Sequence, residues 1–144
     1  HVDLAARLAP LRERGVMILS SGNVVHNLKR VRWQEPDAAF DWAQRFDEAA
    51  IEQMAQDPGA VLKLAEHADY ELAVPTPDHF IPLLYTAGLA AAGEGTAKAL
   101  LSGYSMGSLS MSCSGVGVDT IALDKRGTAA ASLPPDVPPE QTNT

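Results

Sequence analysis

The chain has 144 residues, 46% of them apolar and 6% aromatic, and its formal net charge is −7. This length suits one domain that buries roughly two thirds of its unfolded surface. The acidic balance argues against an extended phosphate-binding face, so nucleic acid is not an expected partner. No run reaches the roughly 18 apolar residues that span a bilayer, and no membrane partner is expected. Cys113 is the only cysteine, which excludes an intrachain disulfide and favours a reducing, cytoplasmic location.

The first predicted element is an amphipathic helix that ends at Gly15. Leu4, Leu8 and Leu11 fall on one helical face, and a glycine is typical of the position just after a helix. The apolar run at residues 16–19 is too short for a helix. We expect it to form a buried strand in a sheet that is covered on both faces.

Three further helices are predicted along the chain. Residues 37–54 combine apolar positions on one face with acidic positions on the other, which indicates a long amphipathic helix. An Asp-Pro pair at 57–58 and a Thr-Pro pair at 76–77 each resemble a capped helix start. Asp78 would then lie in the first turn of the last helix, where a negative charge is favourable, and Pro82 predicts a kink in its early turns.

Residues 104–118 are small, hydroxylated and rich in glycine, which predicts a late strand near an active site. The alternation of helix, strand and helix indicates an α/β fold with a mixed, largely parallel sheet flanked by helices. We expect this domain to cover residues 1–122. Residues 123–144 are rich in proline and alanine and are expected to form a disordered tail.

Two segments place a histidine where an element begins or ends: residues 20–28 contain His26, and residues 75–80 contain His79. In α/β sheets, ligand-binding residues gather at the carboxyl ends of strands, and His26 leaves the predicted strand at 16–19. A neutral imidazole can bind Fe(II) or Zn(II), and its ordinary pKa of about 6.5 also suits proton transfer. Both roles are open to each histidine, and a structural role is the alternative for His26.

Four segments, in the same order, resemble the C-terminal half of the class III extradiol ring-cleavage dioxygenases, and within that superfamily the 4,5-DOPA dioxygenase-like branch. These segments are residues 15–28, 40–43, 75–84 and 107–111. The resemblance covers roughly residues 1–115. It implies a non-haem Fe(II) enzyme of aromatic compound catabolism that opens the ring of a catechol such as DOPA with O2, at a site that zinc can also occupy.

The resemblance also assigns roles to the two histidines. It places His79 close to the metal, as a ligand or a substrate contact, and it makes His26 an acid/base or a metal-proximal residue. Beside these, Asn27 and Trp33 are candidate substrate contacts because they follow His26 closely. The alternative for Asn27 is a turn residue whose side chain bonds to the backbone.

The family takes two further metal-site histidines from an N-terminal half to which nothing in this chain corresponds. The two remaining histidines, His1 and His67, are not expected to bind the metal. We therefore expect the chain to be a C-terminal portion, completed by an N-terminal segment or by a homo-oligomer. The alternative function is a non-catalytic binding or interaction protein that retains the same fold. An α/β hydrolase is disfavoured, since no set of a serine, a histidine and an acid stands out in the sequence.

Overall fold

A computed structural model describes residues 1–93 and 95–118. The helices are α1 (Val2–Leu8), α2 (Pro10–Glu13), α3 (Asp41–Gln56), α4 (Tyr70–Ala73) and α5 (Ile81–Ala92), with 3-10 helices at Leu28–Arg30 and Pro58–Glu66. The strands are β1 (Ala97–Leu101), β2 (Tyr104–Ser105), β3 (Leu109–Ser110) and β4 (Cys113–Val116).

The predicted first helix is confirmed, although it is divided into α1 and α2 around Ala9. Pro10 opens α2, where its missing N–H costs no helical hydrogen bond. Gly15 follows with a φ of +78°, the left-handed conformation that favours glycine. The long helix predicted at 37–54 is confirmed as α3, and the element that starts at Pro58 is a 3-10 helix.

The last predicted helix begins later than its sequence pattern indicated. Residues 75–80 form bends and turns, and α5 starts at Ile81. The helix start predicted at Thr76 is therefore wrong. Pro82 consequently lies in the first turn of α5, where no helical hydrogen bond is lost, so the helix needs no kink there.

Strands and helices are both present, but the sheets are small. Strand β1 pairs with β4, and β2 pairs with β3, both in antiparallel orientation. A single-residue bridge between Ala39 and Gly107 is parallel, and another between His26 and Leu109 is antiparallel. The mixed helix and strand composition is confirmed, whereas the largely parallel sheet stays a prediction.

The strand predicted at residues 16–19 is wrong for this structure. The segment forms no ladder with any strand of the described residues. Two of its side chains are almost entirely open to solvent, with Met17 84% and Leu19 82% exposed. A strand can bury both faces only when other elements cover it, and the described part of the chain leaves this segment uncovered.

The hydrophobic core lies between α3, α5 and the segment that carries His26. Phe46 of α3 is fully buried and its ring lies against the rings of Tyr70 and Phe80. Helix α1 packs on α5 at Gly88, where an added Cβ would meet Ala5 and the Val2 carbonyl. These contacts hold the start of α5, and with it the adjoining turn, in a fixed position relative to α3.

Two further sequence-based expectations concern the end of the domain and the tail that follows it. The predicted domain end at residue 122 and the disordered tail at 123–144 lie outside the described residues. Among the residues that are described, no helix combines the length and the apolar character needed to cross a membrane.

Candidate functional site

The structure brings together the two histidines that the sequence singled out. The imidazole rings of His26 and His79 are stacked, with their centroids 3.5 Å apart and their planes inclined by 13°. They come from separate segments, one before the 3-10 helix Leu28–Arg30 and one in the turn before α5. Their functional roles stay predictions, but their proximity is a property of the fold.

Backbone hydrogen bonds fix the position of His26. Its N–H donates to the carbonyl of Ala73 at 2.9 Å. On the preceding residue, the Val25 N–H donates to the hydroxyl of Ser110 at 3.0 Å, and the Ser110 N–H donates back to the Val25 carbonyl at 3.0 Å. The segment is thus bound on one side to α4 and on the other to β3.

A close approach at Gly22 sets the position of His79. A Cβ atom at Gly22 would overlap the carbonyl oxygen of His79 and would lie 2.7 Å from Cγ of Pro82. Only a residue without a side chain lets the loop lie this close to the turn. Gly22 therefore allows the loop before His26 and the turn that carries His79 to pack directly against each other.

The surroundings of the histidine pair favour the neutral form of His26. Burial lowers the pKa of His26, and the neighbouring His79 lowers it further, while Asp78 acts in the opposite direction. The carboxylate of Asp78 is 3.7 Å from Nε2 of His79. Because its pKa is lowered, His26 is held in the neutral form, which accepts a proton or binds a metal.

The two candidate substrate contacts lie in different surroundings. Asn27 is only 5% exposed; its side-chain amide donates to the Leu72 carbonyl at 2.9 Å, and its side-chain oxygen accepts from the Lys29 N–H at 3.1 Å. Trp33 is 72% exposed. Asn27 thus supports the loop after His26, and the substrate-contact role of both residues stays a prediction.

The two other histidines make contacts of their own. The Nδ1 atom of His67 accepts from the Asp69 N–H at 3.1 Å, and its ring packs edge-on against Phe46. His1 is hydrogen-bonded to the hydroxyl of Tyr85 at 3.2 Å. Within residues 1–93 and 95–118, no group of three His, Cys, Asp or Glu side chains is arranged to hold a metal ion.

A pocket of about 220 Å³ opens beside His79. Five hydroxyl side chains contribute to its lining: Ser20, Ser21, Thr86, Ser112 and Ser114. Apolar atoms of Val24, Pro82 and Leu83 form the rest of the wall, together with Gly22 and Cys113. Among the described residues no Lys, Arg, Asp or Glu lines the pocket. The site is therefore polar without containing a fixed charge of its own.

A buried carboxylate lies behind this pocket, and the sequence analysis did not single it out. Asp47 of α3 is fully buried, and its Oδ2 atom accepts from the Ser112 hydroxyl at 2.6 Å. Its Oδ1 atom has no hydrogen-bond partner among the described residues. Burial raises the pKa of Asp47, and the Ser112 hydrogen bond, together with the nearby hydroxyls of Ser110 and Tyr104, opposes that rise. Burial, together with the charge of Asp47, raises the pKa of Tyr104 to about 12.

One sequence signal could have revealed Asp47. It lies on the same helical face as Ala43, Ala50 and Met54, all of which are buried. An acidic residue within an apolar stripe is unusual, because a buried carboxylate is costly without partners.

Comparison with known proteins identifies a family. Residues 3–114 match the family described as the catalytic LigB subunit of aromatic ring-opening dioxygenase. A protein of Escherichia coli K12 named 4,5-DOPA dioxygenase extradiol is 39% identical over 115 residues, which cover 77% of this chain and 42% of that protein. Proteins of the same name from Beta vulgaris and Portulaca grandiflora are 34% and 33% identical over 70% and 65% of this chain, and 37% and 35% of their own lengths.

A solved structure shows the same fold. The crystal structure of an uncharacterized protein from Escherichia coli K12 matches with a TM-score of 0.70 and 35% sequence identity. The match covers 79% of this chain and 48% of that one. The chain thus spans less than half the length of the relatives it matches.

Proposed function

This chain belongs to the LigB family of aromatic ring-opening dioxygenases, and we propose that it forms the C-terminal portion of an extradiol dioxygenase. The proposed substrate is a catechol such as DOPA, and the proposed cofactor is non-haem Fe(II), which zinc can replace in the site. Two things support the proposal: the names of the relatives and the stacked pair of His26 and His79. The stacked pair is the single observation that carries it.

The stacking geometry favours different roles for the two histidines. An imidazole nitrogen binds a metal along its lone pair, in the plane of the ring, at about 2.1 Å. A metal shared between two parallel rings would lie out of each plane by half of their 3.5 Å separation. That displacement is most of the bond length, so in this arrangement only one ring can bind the metal well. The second ring is left to carry a proton.

We assign the metal to His79 and the proton to His26. The side chain of His79 is 41% exposed and lines the pocket, so its ring is accessible to a metal and to a substrate. His26 is not among the residues that line the pocket, and its lowered pKa keeps it neutral. In this proposal His26 accepts a proton from a catechol hydroxyl that lies against its ring, and Asp78 lowers the cost of the positive charge that results.

The described residues do not complete an iron site. They supply one metal-binding imidazole, that of His79, beside the proton-carrying imidazole of His26, and they contain no cluster of three possible ligands. When bound, Fe(II) would bring the two substrate oxygens and O2 together and allow electrons to pass between them. We propose that the remaining ligands come from a complementing segment or from a second copy of the chain.

The exposed apolar residues 16–19 are evidence for such a complementing segment. Four consecutive apolar residues outside any helix or strand, two of them more than 80% exposed, are unfavourable in water and favourable against another element. The relatives have more than half of their length outside the matched region. We propose that this additional part of the fold covers the segment and supplies the missing ligands.

One observation favours a second candidate, a non-catalytic binding or interaction protein with the same fold. A chain whose described residues lack a three-ligand cluster could use the pocket beside His79 for binding alone. The two functions differ in one property that can be measured directly, which is whether O2 is consumed when a catechol is bound.

Anaerobic titration with Fe(II), followed by O2 uptake and the absorbance of the ring-opened product of a DOPA-type catechol, tests the proposal. We expect His79→Ala to lose both Fe(II) binding and ring opening. We expect His26→Ala to lose ring opening and to retain Fe(II) binding. His1→Ala is the matched control, because it removes an exposed imidazole outside the pair. Catechol binding without O2 uptake, in Fe(II)-loaded protein that includes the complementing segment, would instead favour the binding protein.

A further inference from the structure

A side chain takes part in the backbone pairing that leads into His26. The Ser110 N–H donates to the Val25 carbonyl at 3.0 Å, as in an ordinary ladder. The return bond runs from the Val25 N–H to the Ser110 hydroxyl at 3.0 Å. The Ser110 carbonyl instead accepts from the side-chain amide of Asn23 at 2.6 Å. A hydroxyl can rotate where a backbone carbonyl cannot, so the backbone before His26 depends on the direction of one serine side chain.

The Ser110 hydroxyl needs an acceptor for its own proton. Its oxygen already accepts the Val25 N–H, and the hydroxyl carries one proton to donate besides its lone pairs. Ser110 is only 1% exposed, so bulk water does not reach it. A buried donor without an acceptor is unfavourable, and the acceptor is therefore expected among the buried groups around Ser110.

Asp47 of α3 offers such an acceptor. Its carboxyl is fully buried, and Oδ2 accepts from the Ser112 hydroxyl at 2.6 Å. Its Oδ1 atom has no hydrogen-bond partner within the described residues. The nearby hydroxyls of Ser110 and Tyr104 lower the pKa of this carboxyl, against the effect of burial. A serine proton in need of an acceptor thus lies near a buried carboxyl oxygen that lacks a donor.

We propose that Asp47 is a positioning residue for His26. Oδ1 of Asp47 accepts the Ser110 proton, which turns the oxygen lone pairs of Ser110 towards the Val25 N–H and fixes the backbone that leads into His26. Helix α3 thereby sets the position of the His26 ring against the ring of His79, which belongs to the turn before α5. The inference rests on the proposed function only for the role of His26 in proton transfer.

NMR of the metal-free chain tests the positioning without any reaction. The two stacked rings shield each other's protons, so the ring-current shifts of His26 and His79 report whether the stack is intact. Ser110→Ala and Asp47→Ala should each lose most of these shifts. Asp47→Asn retains a side-chain oxygen that accepts a hydroxyl proton, and it should recover most of the loss. Because the two residues act in series, Asp47→Ala should add no further loss to Ser110→Ala.

A measurement on the wild type tests the contact even if Asp47→Ala does not fold. The Ser110 hydroxyl proton should be protected from exchange with water, and it should show an NOE to the β protons of Asp47. A Ser110 hydroxyl proton that exchanges as fast as that of an exposed serine would overturn the inference.

Two further variants separate positioning from general destabilisation. Tyr104→Phe is the matched control, because it removes the other hydroxyl near Asp47 and leaves the Val25 pairing intact. Met54→Ala removes a buried side chain from the same helix and should destabilise the fold without displacing the histidine stack. Unchanged ring shifts in Ser110→Ala or in folded Asp47→Ala, an equal loss in either of these two variants, or no recovery in Asp47→Asn would each contradict the positioning role. All of these results are obtained without metal, O2 or catechol, so ring opening is tested separately.

Discussion

The His26 and His79 rings stack at 3.5 Å although they belong to segments that are distant in the sequence. The stack depends on Gly22, which lies against the carbonyl of His79 and the ring of Pro82. A short glycine contact between two loops thus controls the relative position of the two groups that the proposed chemistry needs.

The first prediction concerns this contact. Gly22→Ala should push the His79 turn away from the loop, because the new methyl group meets backbone atoms that cannot rotate aside. We expect a loss of about 1–3 kcal/mol in the free energy of unfolding, typical of overpacking, and weaker Fe(II) binding. Chemical denaturation and metal titration measure the two effects. Gly103→Ala is the control, since nothing lies within 4 Å of a Cβ added there; equal behaviour of the two variants would contradict the prediction.

Each histidine could be singled out from its own segment, whereas their proximity was expected only from the family resemblance. Helix α3 followed from its apolar periodicity, which a long helix displays clearly. The motifs around His26 and His79 indicated the site because each combines a histidine with turn-forming residues. Local signals of this kind are contained within one segment and need no knowledge of the rest of the chain.

Other elements depend on partners that a local pattern does not reveal. Strand β1 has the sequence Ala-Lys-Ala-Leu-Leu, which favours a helix by propensity, and it is a strand because it pairs with β4. Residues 16–19 have a strand-like sequence and no strand beside them in the described residues. In both cases tertiary pairing, or its absence, overrides the local preference.

The second prediction concerns the exposed segment at residues 16–19. Leu19→Lys should change the free energy of unfolding of the chain by less than about 0.5 kcal/mol, because Leu19 is 82% exposed. It should nevertheless reduce association with a second copy or a complementing segment, since a charge would then face the interface. Sedimentation at several concentrations measures this. Leu62→Lys changes an equally apolar residue that is 62% exposed elsewhere; if it reduced association as much as Leu19→Lys, the segment would not be the interface.

The third prediction is a pH dependence that arises from Asp47. Burial places the pKa of this carboxyl above its ordinary value of about 3.9, so the folded chain holds the proton to higher pH than the unfolded chain does. As the pH rises from about 4 through the folded pKa, the contribution of Asp47 to the free energy of unfolding falls. The total fall is about 1.4 kcal/mol for every pH unit that separates the folded pKa from the unfolded one. Above the folded pKa the contribution is constant.

Asp47→Asn removes this dependence. Denaturation of wild type and variant is measured between pH 3 and pH 8. As the pH rises, the free energy of unfolding of the variant should increase relative to that of the wild type. Ser112→Ala should extend to higher pH the range over which stability falls, because the Ser112 hydrogen bond lowers the Asp47 pKa. A wild-type curve that remains parallel to that of Asp47→Asn would show that the carboxyl has an ordinary pKa.

The fourth prediction separates the roles of Asn27 and Trp33. Asn27→Ala leaves the Leu72 carbonyl and the Lys29 N–H without their partners, and it should lower the free energy of unfolding by about 1–3 kcal/mol. Trp33→Ala removes a side chain that is 72% exposed and should change stability by less than about 0.5 kcal/mol. Thermal denaturation distinguishes these effects before any substrate is added.

Catechol binding by the same two variants then shows which residue touches the substrate. Weaker binding by Trp33→Ala at unchanged stability would place the exposed indole against the ligand. For Asn27, the amide is already engaged by the backbone on both sides, so any loss of binding should follow the loss of stability and should disappear at low temperature, where the loop remains folded. A binding defect of Asn27→Ala that persists when the variant is fully folded would instead show a direct contact between this amide and the substrate.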